Sequence, residues 1–300
     1  MSSTQTSSEE QRPVGPTTRH IITQISDEPV VPRPKRGTWI IIGLIVLFLA
    51  MVAHSFITNH RFGWPTVVEY IVDPRVLKGI LMTLQLTFFG MVVGIVVGVP
   101  IAIMRLSSNF LVSTFASAYI WFFRSVPLLV QIIFWGFAAA LYPRIVFGVP
   151  FGGPEFFSLS TNDVISFSMA AILALGLNEA AYLAEIVRAG ITSVPRGQED
   201  ASNSLGFTRL RTLQLVILPQ AMRFIIPPVG NNTIMMLKST SLCVFIGVVE
   251  LLGSVQLIYA ENFKQIPLLI VAVFWYMVMT TILSVVQSKI EKHYGKGFQR

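Results

Sequence analysis

Six long apolar segments, separated by shorter polar ones, dominate this 300-residue sequence. A transmembrane helix needs about 20 consecutive and predominantly apolar residues. Charged residues make up only 12% of the chain, whereas soluble domains usually contain about 25%. We therefore predict an all-α membrane protein with about six transmembrane helices. The predicted segments cover residues 39–57, 78–104, 110–142, 161–190, 224–258 and 266–290.

Both ends of the chain are polar. Residues 1–37 are rich in Ser, Thr, Pro and charge, so we predict a disordered cytoplasmic tail, and residues 291–300 form a second cytoplasmic tail. The first tail is too long and polar to start a cleaved signal peptide, so residues 38–58 are predicted to be an uncleaved transmembrane helix. In the third segment, Pro127 is expected to kink or break the helix.

The distribution of Lys and Arg predicts the orientation in the membrane. With six spans, both chain ends lie on the same side. If that side is the cytoplasm, 15 of the 22 Lys and Arg residues are cytoplasmic and five are exterior. Cytoplasmic loops normally carry such an excess. We therefore predict a multi-pass protein of the cytoplasmic (inner) membrane with both termini in the cytoplasm.

Charge and motif content argue against several other classes of protein. The net charge of +7 lies mostly on the predicted cytoplasmic side, and no nucleic-acid-binding fingerprint accompanies it. Cys243 is the single cysteine, so we expect neither an internal disulfide nor a metal site, and its predicted role is buried packing. Gly295-Lys296-Gly297 lacks the first Gly and the hydroxyl residue of a phosphate-binding loop. We predict no catalytic residue, no cofactor and no enzymatic activity.

A polar stretch, residues 197–224, separates the fourth and fifth segments. Ser193 is expected to cap a short helix, with Pro195 in its first turn, and Gly206 can take the left-handed conformation that ends a helix. A second helix is expected to follow until Pro219 stops or bends it. The pattern alone is compatible with a plain connector and with a docking element. Small residues at 201, 202 and 204 allow the surface of another protein to approach closely, which suits docking. The apolar side of the second helix carries Leu210, Leu213, Val216 and Ile217.

The same stretch resembles the cytoplasmic signature loop of permease subunits of ABC importers. That signature reads Glu-Ala-Ala, three residues, Gly, nine residues, Ile, one residue, Leu-Pro. Here Asp200-Ala201-Ser202 takes the first three places, Gly206 follows, and residues 216–219 read Val-Ile-Leu-Pro at the expected spacing. Asp therefore replaces Glu, Ser replaces the second Ala, and Val replaces the first Ile.

Four further motifs resemble permeases for polar amino acids. With the loop, the resemblance covers about residues 76–290 and implies an ABC-importer transmembrane domain of the type I permease fold. The helix at 38–58 looks additional to the commonest five-span core of that family. The motifs are residues 79–87 (GILMTLQLT), 123–131 (FRSVPLLVQ), 177–190 (LNEAAYLAEIVRAG) and 236–242 (MLKSTSL).

The resemblance implies a permease subunit of an ATP-driven importer that moves polar amino acids by alternating access. The implied partners are a dimer of separate ATPase subunits, a second permease subunit that is identical or related, and a periplasmic or surface-tethered binding protein. The loop over 193–222 would dock into the ATPase. Two alternatives remain open: a secondary transporter driven by an ion gradient, and a membrane scaffold that transports nothing. The predicted coupling residues are Asp200, Ala201, Ser202, Gly206, Ile217, Leu218 and Pro219.

Polar and ionisable residues within the apolar segments mark a candidate substrate path, because such groups are costly in a membrane unless they pair or line an aqueous cavity. Helical spacing places one set on a single face of the fourth segment and another on a single face of the fifth. Lys238 and a glutamate could meet the two charges of an amino acid; alternatively, Lys238 simply neutralises Glu185 or Glu179. Arg124 is included because the matching family segment helps to build the path. The full set is Arg124, Asn178, Glu179, Tyr182, Glu185, Asn231, Lys238 and Ser241.

Two further positions carry structural expectations. Gly90, Gly94 and Gly98 recur at every fourth position, which places three small residues on one helix face and favours close helix packing. We expect that packing inside the subunit, in preference to a contact between subunits. Glu250 is expected near the outer end of the fifth segment, in contact with solvent.

Overall fold

The computed structural model describes residues 36–149 and 153–294, with side chains from residue 39 onward. Most of the predicted tail at 1–37 and residues 295–300 of the second tail lie outside these residues. The chain divides into two units, one up to Asn59 and one from His60, and each is described by itself. The first contains helix α1 (Arg36–Thr58).

The second unit is predominantly helical, which confirms the all-α prediction. One feature departs from it: strands β1 (Arg144–Gly148) and β2 (Glu155–Ser160) form a two-stranded antiparallel sheet. Phe147 pairs with Phe157 across the sheet, and their rings stack with centroids 4.6 Å apart. The helices are α2 (Trp64–Tyr70), α3 (Pro74–Arg105), α4 (Phe110–Ser125), α5 (Leu128–Gly136), α6 (Ala138–Leu141), α7 (Thr161–Val164), α8 (Phe167–Thr192), α9 (Arg196–Ser204), α10 (Arg209–Thr212), α11 (Leu218–Ser239), α12 (Leu251–Asn262) and α13 (Gln265–Tyr294).

Five helical segments among the described residues are long and apolar enough to cross a membrane, and the bent pair α4–α5 makes a sixth. The predicted bounds of two segments are wrong. The fourth span begins at Phe167, because residues 161–164 form the separate helix α7. The fifth segment is not continuous to 258, because a 3₁₀ turn over Thr240–Ile246 and Gly247, at φ 82°, precede the separate helix α12.

The bend between α4 and α5 measures 98° and lies at Val126 and Pro127, as the interruption in the sequence predicts. Two amide side chains bind the carbonyl groups that the break leaves free. Gln131 Nε2 donates to the carbonyl oxygens of Phe123 and Val126, each at 2.9 Å. Asn178 Nδ2, from α8, donates to the Phe123 oxygen at 2.9 Å. The break is therefore fixed by hydrogen bonds within the protein, which is how irregular backbone is tolerated at membrane depth.

The three glycines of α3 mark close packing against two helices, α8 at Gly94 and Gly98 and α11 at Gly90. A Cβ atom at Gly90 would lie 2.9 Å from Met236 Sδ, at Gly94 3.1 Å from Glu179 Cγ, and at Gly98 2.8 Å from the Ala180 oxygen. Each contact lies within the same unit, so the expectation of internal packing is confirmed. Cys243 is also fully buried, as predicted.

The expectation that Glu250 lies in solvent is wrong, because its side chain is 0% exposed. Glu250 caps the N-terminus of α12 and accepts hydrogen bonds from the backbone N–H groups of Leu252 at 3.0 Å and Gly253 at 2.8 Å. Tyr276 of α13 donates its hydroxyl at 2.7 Å, and Thr83 of α3 lies at 3.4 Å. The free N–H groups at the start of a helix stabilise an acidic cap. Because its hydrogen-bond partners lie on α12, α13 and α3, the Glu250 carboxyl group joins three helices.

Asp73 caps the N-terminus of α3 and lies one residue before that helix. Its Oδ1 accepts from the Arg75 backbone N–H at 2.8 Å. Burial alone would raise the pKa of Asp73, but the hydrogen bonds and the charge of Arg75 outweigh it and lower that pKa below its ordinary value.

Candidate functional site

The polar stretch forms a separate structural element over residues 195–219, which we call the 195–219 element. Its first helix, α9, ends in two hydrogen bonds: Gly206 N–H to the Asn203 oxygen at 2.9 Å and Phe207 N–H to the Ser202 oxygen at 3.1 Å. This pair is the Schellman arrangement, which requires a left-handed residue after the helix. Gly206 supplies it with φ 76°, so the predicted helix end at Gly206 is confirmed.

The 195–219 element exposes several of the residues predicted to contact an ATPase. Asp200 and Ala201 are exposed, and a Cβ at Gly206 would meet no atom within 4 Å. Two large apolar side chains beside them are also exposed, Leu205 at 76% and Leu210 at 63%. Ser202, by contrast, is buried and donates its hydroxyl to the Gln198 oxygen at 2.7 Å. Exposed apolar groups clustered with small residues are typical of a surface that another protein covers.

At the ends of this element, the predicted cap is wrong, and of the two outcomes predicted at Pro219, a stop or a bend, the stop is wrong. Ser193 does not cap α9; it follows the end of α8 and donates its hydroxyl to the Gly190 oxygen at 2.7 Å. Pro219 does not stop the second helix. A π-helical turn over Leu213–Ile217 leads directly into α11, so the backbone departs from regular α-helix just before Pro219 and continues as a helix after it. Ile217 is buried, whereas Leu218 and Pro219 are exposed.

A cavity of about 180 Å³ lies between α5, α8 and α11, among the membrane-spanning helices. We call it the intramembrane cavity. Glu179 is its acidic residue and is 8% exposed. Asn232 Nδ2 donates to Glu179 Oε1 at 2.8 Å, and Glu179 has no ion-pair partner among the described residues. The lining residues are Leu128, Leu175, Asn178, Glu179, Tyr182, Asn232, Met235, Met236 and Ser239.

The residues predicted on α8 line this cavity more often than the residues predicted on α11. Of the predicted face, Asn178 and Tyr182 line the cavity and Glu185 does not; Glu179, predicted to lie beside that face, also lines it. The polar α11 residues that line it are Asn232 and Ser239, which follow Asn231 and Lys238 by one position each. The sequence pattern does not predict these two, because the charged residue Lys238 lies on the neighbouring face. Neither Asn231, Lys238 nor Ser241 lines the cavity: Asn231 and Lys238 are exposed, and Ser241 donates its hydroxyl to the Lys238 oxygen at 2.8 Å.

The alternative in which Lys238 neutralises a glutamate is wrong. Glu185 pairs with Arg188, one helical turn away, at 2.7 Å. Glu179 pairs with an amide. Arg124, at the end of α4, places its guanidinium 5.2 Å from the centroid of the Tyr182 ring, within the range of a cation–π contact. Arg124 and Tyr182 therefore lie together at the edge of the intramembrane cavity.

Residues 90–296 match the family described as the inner membrane component of binding-protein-dependent transport systems. The chain belongs to this family. It is an ABC permease subunit, a membrane transport component. Membership of this family favours the predicted ABC-importer permease over the two alternatives, an ion-driven transporter and a membrane scaffold.

Two similar proteins are named as permease proteins of amino acid transport systems. This permease is 43% identical over 276 residues, 91% of this chain and 85% of the relative, to the arginine transport system permease protein ArgU of Corynebacterium glutamicum. It is 31% identical over 233 residues, 77% of this chain and 97% of the relative, to the glutamine transport system permease protein GlnP of Escherichia coli.

A solved structure described as an amino acid ABC transporter with histidines matches the permease with a TM-score of 0.63 and 33% identity, covering 75% of this chain and 96% of the other. An inward-facing MetNI methionine ABC transporter matches in fold with a TM-score of 0.59 at 18% identity, covering 73% of this chain and 96% of the other. The predicted importer-permease fold is confirmed.

Proposed function

We propose that this permease carries arginine or another cationic amino acid through the membrane, past the intramembrane cavity. The observation that carries the proposal is Glu179: a carboxyl group in that cavity, held by Asn232 and without a cationic partner in the described part of the chain. A buried ionisable group of this kind is costly unless it meets a partner of opposite charge. A substrate ammonium or guanidinium supplies one, and the likeness to ArgU supports the choice of a cationic substrate.

Other cavity residues fit such a substrate. Tyr182 and Asn178 offer polar groups at one wall, and Met235 and Met236 offer flexible apolar surface at another. Arg124, which lies against Tyr182, is placed to attract a carboxylate at the cavity edge. We retain Glu185, Asn231, Lys238 and Ser241 as candidates for other parts of the path, outside this cavity.

Uptake into vesicles that contain the complete transporter tests the substrate. Labelled arginine should accumulate on ATP addition, and unlabelled lysine should compete better than glutamate. Glu179→Gln keeps an acceptor for Asn232 but removes the charge, so uptake should fall about tenfold or more, as expected when a charge-assisted hydrogen bond is lost. Glu261→Gln is the matched control, since Glu261 is exposed, pairs with Arg75 and lies outside the proposed path. Unchanged arginine uptake by Glu179→Gln would refute the proposed role.

We further propose that the 195–219 element docks on a separate ATPase subunit in the cytoplasm and transmits its closure to the spans. The proposed contact residues remain Asp200, Ala201, Ser202, Gly206, Ile217, Leu218 and Pro219. Buried Ser202 and Ile217 support the shape of the element, and the exposed residues supply the contact. The direct continuity of the element with α11, through the π-helical turn, supports mechanical coupling.

The same proposal places both chain termini in the cytoplasm, with a second permease subunit and an exterior substrate-binding protein completing the transporter. The family description, which names binding-protein-dependent transport, supports the last of these. Alternating access follows if ATP-driven closure of the ATPase dimer draws two such elements together and opens the path outward.

Cysteine cross-linking tests the docking and the orientation together. In a Cys243→Ala background, Asp200→Cys should cross-link to the ATPase and should react with an impermeant thiol reagent only when the cytoplasmic side is open. Lys289→Cys, also exposed but on α13, is the control and should form no such cross-link. Labelling of Asp200→Cys from outside intact cells would contradict the orientation.

A further inference from the structure

A second cavity, of about 500 Å³, lies beside the 195–219 element and shares no lining residue with the intramembrane cavity. The C-terminal end of α8 and the end of α3 form one wall, which is largely apolar and includes Leu106 and Ile191. Helices α9 and α10 form the opposite wall, which is polar. We call this space the α9–α10 cavity. Its position next to Thr192, where α8 ends, places it where a membrane span meets the aqueous phase.

Thr212 is the buried polar residue of the α9–α10 cavity. Its side chain is 4% exposed, and its Oγ1 has no hydrogen-bond partner in the part of the chain that the structure describes. A threonine within a helix normally donates to the carbonyl four residues earlier. Here the Thr208 oxygen accepts from the Thr212 backbone N–H, and the hydroxyl stays unpaired. A buried polar atom without a partner is uncommon and needs an explanation, and a bound ligand or ion is one that also accounts for the arginines beside it.

Two arginines line the same cavity. Arg196 opens α9 and Arg209 opens α10, and neither forms an ion pair within residues 36–149 and 153–294. Glu199 and Asn203 complete the polar wall, so its net charge is positive. A guanidinium presents parallel N–H donors that match the geometry of a phosphate group.

We propose that the α9–α10 cavity binds a phosphate group through Arg196, Arg209 and Thr212, and that the phosphate belongs to the headgroup of an anionic phospholipid. The two walls favour a lipid as the source. A free phosphate ion needs only the polar wall, whereas a lipid also places its glycerol and first methylene groups against Leu106 and Ile191. Basic pockets at the cytoplasmic ends of transmembrane helices bind anionic headgroups for the same reasons.

The cavity lies beside the surface proposed to meet the ATPase. Arg196, Glu199 and Asn203 are spaced by three and four residues, so they share one face of α9. Asp200, Ala201 and Gly206 do not line the cavity. Asp200 lies four residues after Arg196 and three before Asn203, so it borders the face of α9 that lines the cavity. A bound lipid would therefore contact α9 beside the residues proposed to meet the ATPase and would steady the docking helix there.

Native mass spectrometry of the complete transporter, released from bilayers of mixed phosphatidylglycerol and phosphatidylcholine, tests the site. The double variant Arg196→Gln/Arg209→Gln should retain phosphatidylglycerol with about tenfold lower affinity than wild type, the size expected for lost charge-assisted hydrogen bonds. The control Arg211→Gln/Lys289→Gln removes the same charge from exposed residues that do not line the cavity, and should retain the lipid as wild type does.

Thr212→Val gives a second measurement that does not depend on charge. It removes the unpaired hydroxyl, so it should raise the unfolding midpoint in pure phosphatidylcholine and still weaken phosphatidylglycerol retention. Equal retention by wild type, both double variants and Thr212→Val would overturn the proposal. So would loss of ATPase co-purification by Arg196→Gln/Arg209→Gln with lipid retention unchanged, which would assign the cavity to the ATPase contact.

Inorganic phosphate distinguishes the two sources of the ligand. If the lipid is the ligand, millimolar phosphate should neither protect the delipidated protein against heat nor displace phosphatidylglycerol. Protection by phosphate that equals protection by phosphatidylglycerol, and that Arg196→Gln/Arg209→Gln abolishes, would overturn the lipid assignment in favour of the free ion.

Discussion

The 195–219 element and the intramembrane cavity differ in how far apart along the chain their contacting residues lie. In the element, Gly206 and Phe207 bond to Asn203 and Ser202, within five residues. In the cavity, Glu179 bonds to Asn232, 53 residues away, and Asn178 bonds to Phe123, 55 residues away. The element therefore takes its shape from local sequence, whereas the cavity exists only when several spans are packed. Changes in the element should alter transport and leave the fold intact, and changes in the packed region should alter the fold.

The largest expected effect on stability is in the packed spans, at Glu250. Glu250→Leu would leave the Tyr276 hydroxyl and the N–H groups of Leu252 and Gly253 unpaired, at a cost of about 1–3 kcal/mol for each buried group. We expect a loss of folded protein or a strongly lowered midpoint in thermal unfolding. Glu261→Leu is the control, because Glu261 pairs with Arg75 at the surface and such a pair contributes at most ~1 kcal/mol. Equal midpoints for the two variants would show that Glu250 is not part of the packed framework.

A pair of glycines compares the two regions directly. Gly98→Leu would place a side chain against the Ala180 backbone of α8, and overpacking of this kind costs about 1–3 kcal/mol or more. Gly197, in α9, has open space around it, so Gly197→Leu should leave the unfolding midpoint unchanged. Thermal unfolding in detergent measures both variants. If Gly197→Leu destabilised the protein as much as Gly98→Leu, the separation of the two regions would fail.

Gly206 tests whether the element acts in transport without supporting the fold. Gly206→Val must hold a β-branched residue at φ 76°, which costs about 1–2 kcal/mol and should distort the end of α9. We expect normal membrane insertion and folding but strongly reduced ATP-dependent uptake. Gly206→Asn should be milder, since Asn tolerates the left-handed conformation. Full uptake by Gly206→Val would show that transport does not depend on the left-handed conformation of Gly206.

The smallest effect is expected at Asp73, a local cap within the packed unit. Asp73→Ala should cost about 1 kcal/mol of stability, as loss of a helix cap does, whereas Asp73→Asn should keep the cap. Because the pKa of Asp73 is lowered in the folded protein, its charge stabilises the fold above its ordinary pKa, 3.8. That contribution should be lost as the pH falls through the lowered folded pKa. Thermal unfolding between neutral and acid pH measures it, and an identical pH profile for wild type and Asp73→Asn would contradict it.

How much of each site the sequence predicts depends on how far apart along the chain the contacting residues lie. Gly206, the end of α9 and the break at Pro127 follow from residue types that act on their own backbone. Asn178 and Tyr182 are found because helical spacing puts them on one face, and Glu179 because it is an ionisable residue beside that face. Asn232 and Ser239 are missed, since no local rule states which face of α11 turns toward α8. Glu250 is misplaced for the same reason: its three helices meet only in the folded chain.

By itself, the sequence determined the membrane-spanning class, the approximate spans, the close-packing face of Gly90, Gly94 and Gly98, and the glycine-ended helix at 206. These follow from hydrophobic length and from backbone geometry, which act over a few residues. The tertiary structure alone decided the partners of Glu179 and Glu250, the rotation of α11, and the α9–α10 cavity around Thr212. Polar groups in a low-dielectric core take whichever partner packing brings within hydrogen-bond reach, and only the assembled helices fix that distance.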